Sequence, residues 1–124
     1  MDHKEIESII EAFFDASYTR DADKMATAFH AGSEYFGFSK DGALSKRTGA
    51  DFVEGIRKSS ASSSQPEYPR VQEIISIEFT GENAAVARTK LRVGNTLYTD
   101  ILCFMRLGGV WGIIAKIASG VPVD

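Results

Sequence analysis

Two glycine-bearing tetrapeptides, Val93-Gly94-Asn95-Thr96 and Leu107-Gly108-Gly109-Val110, constrain this chain more than any other feature. A Gly-Asn or Gly-Gly pair supplies the positive φ that a two-residue hairpin loop requires, so the pairs predict Val93 opposite Thr96 and Leu107 opposite Val110. Counting outward then sets Thr89 opposite Asp100, Phe104 opposite Ile113 and Arg106 opposite Trp111. Because strand side chains alternate, one face is expected to carry Ala85, Ala87, Thr89, Leu91, Tyr98, Asp100, Leu102, Phe104, Arg106, Trp111, Ile113, Ala115 and Ile117. The other carries Val86, Arg88, Lys90, Arg92, Leu97, Thr99, Ile101, Cys103, Met105, Leu107, Ile114 and Lys116. Neither face is purely polar, which predicts a sheet covered by helices on one side and by a second subunit on the other.

The rest of the chain supplies those helices. Ile6, Ile9, Ile10, Phe13 and Phe14 fall on one stripe of a helix from Lys4 to about Tyr18. Asp21 is placed to N-cap a second helix that buries Met25, Ala28 and Phe29, with Asp23 in its first turn, where the helix dipole favours an acid. Gly32 reads as its left-handed terminator after His30 and Ala31. Ser33 to Ser39 is a short aromatic strand, Lys40-Asp41-Gly42 a turn, and Ala43 to Arg47 a returning strand. Thr48 and Asp51 form a capping pair for a third helix that buries Phe52, Val53 and Ile56 and ends near Lys58. Ser59 to Pro69, with five serines and two prolines, reads as an exposed connection, either a plain surface loop or a lid over a pocket. Val71 to Phe79 is a strand that enters the meander. The order is three helices, with a hairpin inserted before the third, then a four-strand meander. It describes an α+β fold with helices on one face of a mainly antiparallel sheet.

Composition narrows the function. At 124 residues the chain is expected to form a single domain, 1–124, with no linker and no internal repeat. The single cysteine, Cys103, cannot make an internal disulfide and reads as a structural thiol in a reducing compartment. The Met-Asp-His-Lys-Glu start lacks a signal-peptide layout and no apolar run reaches membrane-spanning length, so the expectation is a soluble, cytoplasmic protein with no membrane partner. A net charge of -3 argues against nucleic acid as a partner. The basic row Arg88, Lys90 and Arg92 reads as an interface or solvated edge.

Arg20-Asp21-Ala22 between two helices, Ala28-Phe29-His30 ending the second, and Trp111-Gly112-Ile113 after a Gly-Gly turn carry a resemblance. In this order of elements the chain is similar to the nuclear transport factor 2-like superfamily, and within it to the SnoaL-like and "putative lumazine-binding" branches. The resemblance implies a cone-shaped, cystatin-like fold in which a strongly curved sheet and the first helices enclose a cavity. It also implies a homodimer through the outer sheet face, and it makes the Asp100 and Trp111 face the inner one. Catalytic residues do not transfer. Isomerases of the superfamily use a tyrosine on the first helix, where this chain has Phe13 and Phe14. Dehydratase-like members need cavity histidines, and only His3 and His30 are present.

Among residues able to carry chemistry, Asp100 is the sharpest candidate for a catalytic, proton-transferring group, because an acid on an apolar face has its charged form disfavoured. Its structural alternative is to accept hydrogen bonds from Thr89, Tyr98 or a backbone amide. Arg106 and Trp111 read either as a cross-strand cation–π pair or as the rim for an anionic or aromatic ligand. His30 is either a cavity base or a residue bonding the last carbonyls of its helix. Tyr18 and Tyr35 bring hydroxyls to the expected mouth, and Phe14, Phe52, Tyr98 and Phe104 supply apolar walls. The expected pocket is therefore Phe14, Tyr18, His30, Tyr35, Phe52, Tyr98, Asp100, Phe104, Arg106 and Trp111. No spacing of His, Cys or acids suggests a metal, and no phosphate loop or nucleophile elbow suggests a cofactor. Three functions fit: a cofactor-free pocket protein for a small apolar or aromatic molecule; a SnoaL-like isomerase, cyclase or dehydratase using Asp100; and a non-catalytic interaction module.

Overall fold

The computed structural model describes residues 2–59 and 68–123. Three helices, α1 (Asp2–Thr19), α2 (Ala22–Ala28) and α3 (Gly49–Ser59), lie among six strands: β1 (Phe29–Phe38), β2 (Leu44–Thr48), β3 (Gln72–Phe79), β4 (Ala84–Val93), β5 (Thr96–Leu107) and β6 (Val110–Pro122). The strands form one curved sheet in the order β2-β1-β6-β5-β4-β3, antiparallel throughout except for the parallel β1–β6 pair. Residues 60–67, the greater part of the expected serine-rich connection, lie outside the described residues. No described helix is long and apolar enough to cross a membrane.

Local chemistry accounts for the helix ends. Asp21 accepts a hydrogen bond from the Lys24 amide at 3.0 Å and so caps α2, satisfying one of the free N–H groups at the helix start. Thr48 Oγ1 accepts from the Asp51 amide at 3.0 Å and caps α3 in the same way. α1 stops at Arg20, whose φ of 61° is left-handed, while the Asp21 amide reaches back to the Ala16 carbonyl at 3.1 Å. That is the Schellman arrangement, here without the usual glycine.

The meander has the register set by its two turns. Val93 pairs with Thr96, Thr89 with Asp100, Leu107 with Val110, Arg106 with Trp111 and Phe104 with Ile113. One step later the count fails, because Cys103 pairs with Ala115 and Ile114 is left over as a bulge. An extra residue on one strand exchanges every following side chain between faces. Lys116, expected on the outer face, is therefore buried on the inner one, while Ile117, expected inside, pairs with Ile101 on the outside.

A second correction concerns the end of α2. The helix closes at Ala28, and Phe29 through Gly32 belong to β1, drawn into the sheet by parallel pairing of Phe29 with Ile113. Gly32, with φ of 81°, lies within a register shift of that strand rather than ending a helix. His30 is accordingly a strand residue.

The core lies between the helices and the inner sheet face. Ile6, Ile10, Phe13 and Phe14 of α1, Met25 of α2 and Val53 and Ile56 of α3 pack with Ala85, Ala87, Leu91, Leu102, Phe104, Trp111 and Ile113. Each large side chain so buried contributes about 1.5–3 kcal/mol of transfer free energy. The alanines at Ala85 and Ala87 keep this part of the sheet thin enough for α1 to approach.

Candidate functional site

Between α1, α3 and the inner sheet face the core is not filled. A cavity of about 300 Å³ is bounded by Phe13, Ser17 and Arg20 from α1 and its cap, Phe52, Gly55, Ile56 and Ser59 from α3, and Leu91, Val93, Tyr98, Asp100, Lys116, Tyr35 and Arg47 from the sheet. A second hollow of about 570 Å³ shares Tyr35, Arg47 and Tyr98 with it, so these three form a common wall.

Sheet register builds the floor. Leu102 pairs with Lys116, Lys116 with Tyr35, and Tyr35 with Arg47, so four side chains form one lateral row across β5, β6, β1 and β2. Within that row the Lys116 ammonium lies 4.0 Å from the Tyr35 ring centroid and 4.5 Å from that of Phe52. The two rings stack at 4.8 Å, and the Arg47 guanidinium sits 4.9 Å from Tyr35 and 5.6 Å from Phe52. Cations this close to an aromatic pair are held by the negative faces of the rings, an attraction strengthened where water is excluded.

Asp100 completes the floor. It is buried, Lys116 Nζ stands 3.8 Å from its Oδ2, and its Oδ1 has no hydrogen-bond partner. Burial pushes the Asp100 carboxyl above its ordinary value, with Lys116 pulling the other way. Burial likewise lowers Lys116 to about 8, against the opposing pull of Asp100 and helped by Arg47. The Tyr35 hydroxyl is raised by burial first and by the neighbouring Tyr98 and Asp100 next. Desolvation disfavours both charges together, which moves the carboxyl up and the amine down, towards each other. At the mouth, the buried Arg20 Nε also has no partner. Among the described residues no group of three or more His, Cys, Asp or Glu comes together as a metal site.

Of the residues singled out from the sequence, Tyr35, Phe52, Tyr98 and Asp100 line this cavity. Phe14 and Phe104 are buried in the core instead, and Phe13, the neighbour of Phe14, takes the cavity position. The Tyr18 hydroxyl donates to the Tyr68 carbonyl at 3.1 Å beneath the Arg70 guanidinium. His30 packs against Gly112, which shares its face with the exposed Met105, and His30 Nε2 donates to the Met105 carbonyl at 2.8 Å. That is the outer face, so His30 is no cavity base. Arg106 and Trp111 do form the cation–π pair, at 5.6 Å, but both reach Asp2 at the start of α1, at the other end of the molecule. Lys116, Arg47 and Arg20 were not foreseen. The segment Arg20-Asp21-Ala22 between two helices was the one available signal for Arg20, and a bulge at Ile114 leaves no mark in an Ile-Ile-Ala run.

Residues 1–118 match the profile of the family described as "Putative lumazine-binding". The chain belongs to this family. Its fold is that of the nuclear transport factor 2-like superfamily, as solved structures show. A nuclear transport factor 2-like protein of unknown function from Shewanella baltica superposes with a TM-score of 0.83 at 20% identity, covering 98% of this chain and 94% of that one. A ketosteroid isomerase-like protein from Erwinia carotovora atroseptica gives 0.74 at 13% identity, covering 95% of each. A domain of unknown function with a cystatin-like fold from Nostoc punctiforme gives 0.76 at 12%, covering 95% of this chain and 76% of that one. No curated protein matches the chain. At these identities the likeness is one of fold.

Proposed function

We propose that this protein binds a small aromatic molecule bearing an anionic or hydrogen-bonding edge in the cavity above Asp100 and Lys116. One observation carries the reading: a cavity walled by Phe13, Tyr35, Phe52 and Tyr98 contains three cations, Arg20, Arg47 and Lys116, against one acid, Asp100. Aromatic walls with a few convergent polar groups are what fixes and orients small ligands, and the volume suits a ligand at the small end of the ~300–1,000 Å³ range. This reading keeps the aromatic walls expected from the sequence and adds three basic groups to them. Thermal-shift measurements with aromatic carboxylates and phenols, set against aliphatic acids of equal charge, test it. Aromatic acids should raise Tm, and the rise should vanish in Phe52→Ala and shrink in Arg47→Leu. A panel without effect, or a shift that survives both substitutions, refutes the proposal.

The unpartnered Asp100 Oδ1 favours one catalytic extension, in which Asp100 takes a proton next to a ligand carbonyl, as in an isomerase, cyclase or dehydratase. Exchange of α-hydrogens of an aryl ketone in heavy water, lost in Asp100→Asn, is the corresponding measurement. We further propose a homodimer through the outer sheet face, where Val86, Ile101, Met105 and Ile117 are each more than a third exposed. Such a patch on one side of a sheet is the usual mark of an interface.

A further inference from the structure

We propose that Lys116 captures the carbonyl group of an aromatic aldehyde or ketone as an imine, with Asp100 as its proton partner. The inference rests on the ligand reading above and deepens it, since it names the reacting group of the ligand and the atom that receives it. The geometry supplies the parts. Lys116 Nζ is held against the rings of Tyr35 and Phe52 on the cavity wall, 3.8 Å from Asp100 Oδ2, and the other Asp100 oxygen has no partner. A ring lodged along Tyr35 and Phe52 brings a carbonyl substituent to the amine, and the cavity admits a molecule of that size.

The proton count closes within the pair. Transfer of one proton from the Lys116 ammonium to the Asp100 carboxylate leaves a neutral amine beside a carboxylic acid. The nitrogen lone pair attacks the carbonyl carbon, a C–N bond forms and the C=O π bond opens. Transfer of one N–H proton to the oxygen gives the carbinolamine. The Asp100 acid then protonates that hydroxyl, water leaves, and the nitrogen lone pair forms the C=N bond. The products are a protonated imine, one water and the Asp100 carboxylate as its counter-ion. No other oxidant, acid or base is consumed, and hydrolysis reverses the sequence.

Lys116 is suited to this as other lysines are not. Seven lysines are present, and Lys116 is the buried one among those described. Held near a pKa of about 8, it is roughly a quarter neutral at pH 7.5, against about one part in a thousand for an ordinary lysine. Burial, Asp100 on β5 and Arg47 on β2 set this balance; the other titratable groups lining the cavity are Tyr98 on β5, Tyr35 on β1 and Arg20 after α1, and the cavity-lining residues of α3 bring no charge.

The test is reductive trapping of the full chain with benzaldehyde and cyanoborohydride at pH 7.5, read by intact mass and peptide mapping. The Lys116 peptide should be labelled at least about tenfold faster than any other lysine peptide, and Asp100→Asn should slow that label selectively. Labelling spread over surface lysines with Lys116 no faster overturns the inference. Benzoate and benzyl alcohol, which cannot form imines, separate the two readings. If they raise Tm while Lys116 is not trapped, the imine is wrong and the cavity still binds. If neither binds nor traps, both readings fall. Because the site preference is read on the unaltered protein, it does not depend on any variant folding.

Discussion

Lys116 and Asp100 meet at 3.8 Å on the inner sheet face because Ile114 is bulged out of β6, placing Lys116 beside Leu102 and diagonal to Asp100. Both groups are buried, and burial disfavours the charge on each. Their pairing stands at the foot of the cavity and shapes how the protein responds to pH.

Lys116 is held near a pKa of about 8 in the folded chain and returns to about 10.4 on unfolding, so the unfolded chain binds more protons between these limits. Stability therefore rises with pH across that window, by roughly 2–3 kcal/mol between pH 7 and pH 10 from this group alone. Above pH 10 the raised Tyr35 hydroxyl works against the gain, since the folded chain then keeps a proton the unfolded chain releases. Urea midpoints measured at pH 7, 8, 9 and 10 should climb, and in Lys116→Met the climb should disappear. An equal slope in both proteins would assign the effect elsewhere.

Arg20 ends α1 in the left-handed region with a side chain that lines the cavity. Glycine adopts that backbone without strain, so Arg20→Gly should raise stability by up to about 1 kcal/mol. The same change removes a cation from the mouth and should weaken binding of aromatic acids several-fold. Chemical denaturation and calorimetric titration on one sample show whether stability and affinity move in opposite directions.

Gly120 pairs with Tyr98, and a Cβ there would lie 2.8 Å from Tyr98 Cε1 and 2.7 Å from Thr96 Cγ2. Gly120→Ala should push the Tyr98 ring off its seat on the wall shared by the two hollows. Ligand affinity should change by more than fivefold while the far-UV circular dichroism spectrum does not. An unchanged affinity would remove Tyr98 from the recognition surface.

Gly49 meets the buried Ser33 so closely that an added Cβ would lie 2.0 Å from Ser33 Oγ. Gly49→Ala should cost about 1–3 kcal/mol by overpacking, and Ser33→Ala in the same chain should return part of it. Additive losses in the double variant would show that the two residues do not crowd each other.

Ile101 pairs with Ile117 and Arg88 on the outer face and is 37% exposed in the isolated chain. If that face joins two copies, Ile101→Arg buries a charge at the contact and should give a monomer by light scattering with unchanged secondary structure. A wild-type chain that is already monomeric would refute the proposed dimer.

How far the sequence disclosed this site follows from what each signal can encode. Gly-Asn and Gly-Gly carry their own turn geometry, so the phase of β4, β5 and the first half of β6 could be counted, and Asp100 and Tyr98 with it. The bulge at Ile114 has no glycine and arises where β6 serves β5 on one side and β1 on the other, a long-range compromise no local pattern records. Lys116 was lost for that reason. His30 was misplaced because a glycine with positive φ serves a helix end and a distorted strand alike, and the parallel β1–β6 pairing that decides between them spans more than eighty residues. The caps at Asp21 and Thr48 were legible because their donors and acceptors lie three residues apart.

The single surplus residue at Ile114 acts as a parity bit for the tail of β6. Removing it would leave every turn and helix cap intact yet turn the ε-amine outward and bring Ile117 into the chamber. A chain of this architecture can therefore pass between a greasy and an ionisable interior by gaining or losing one amino acid, without any exchange of side-chain chemistry.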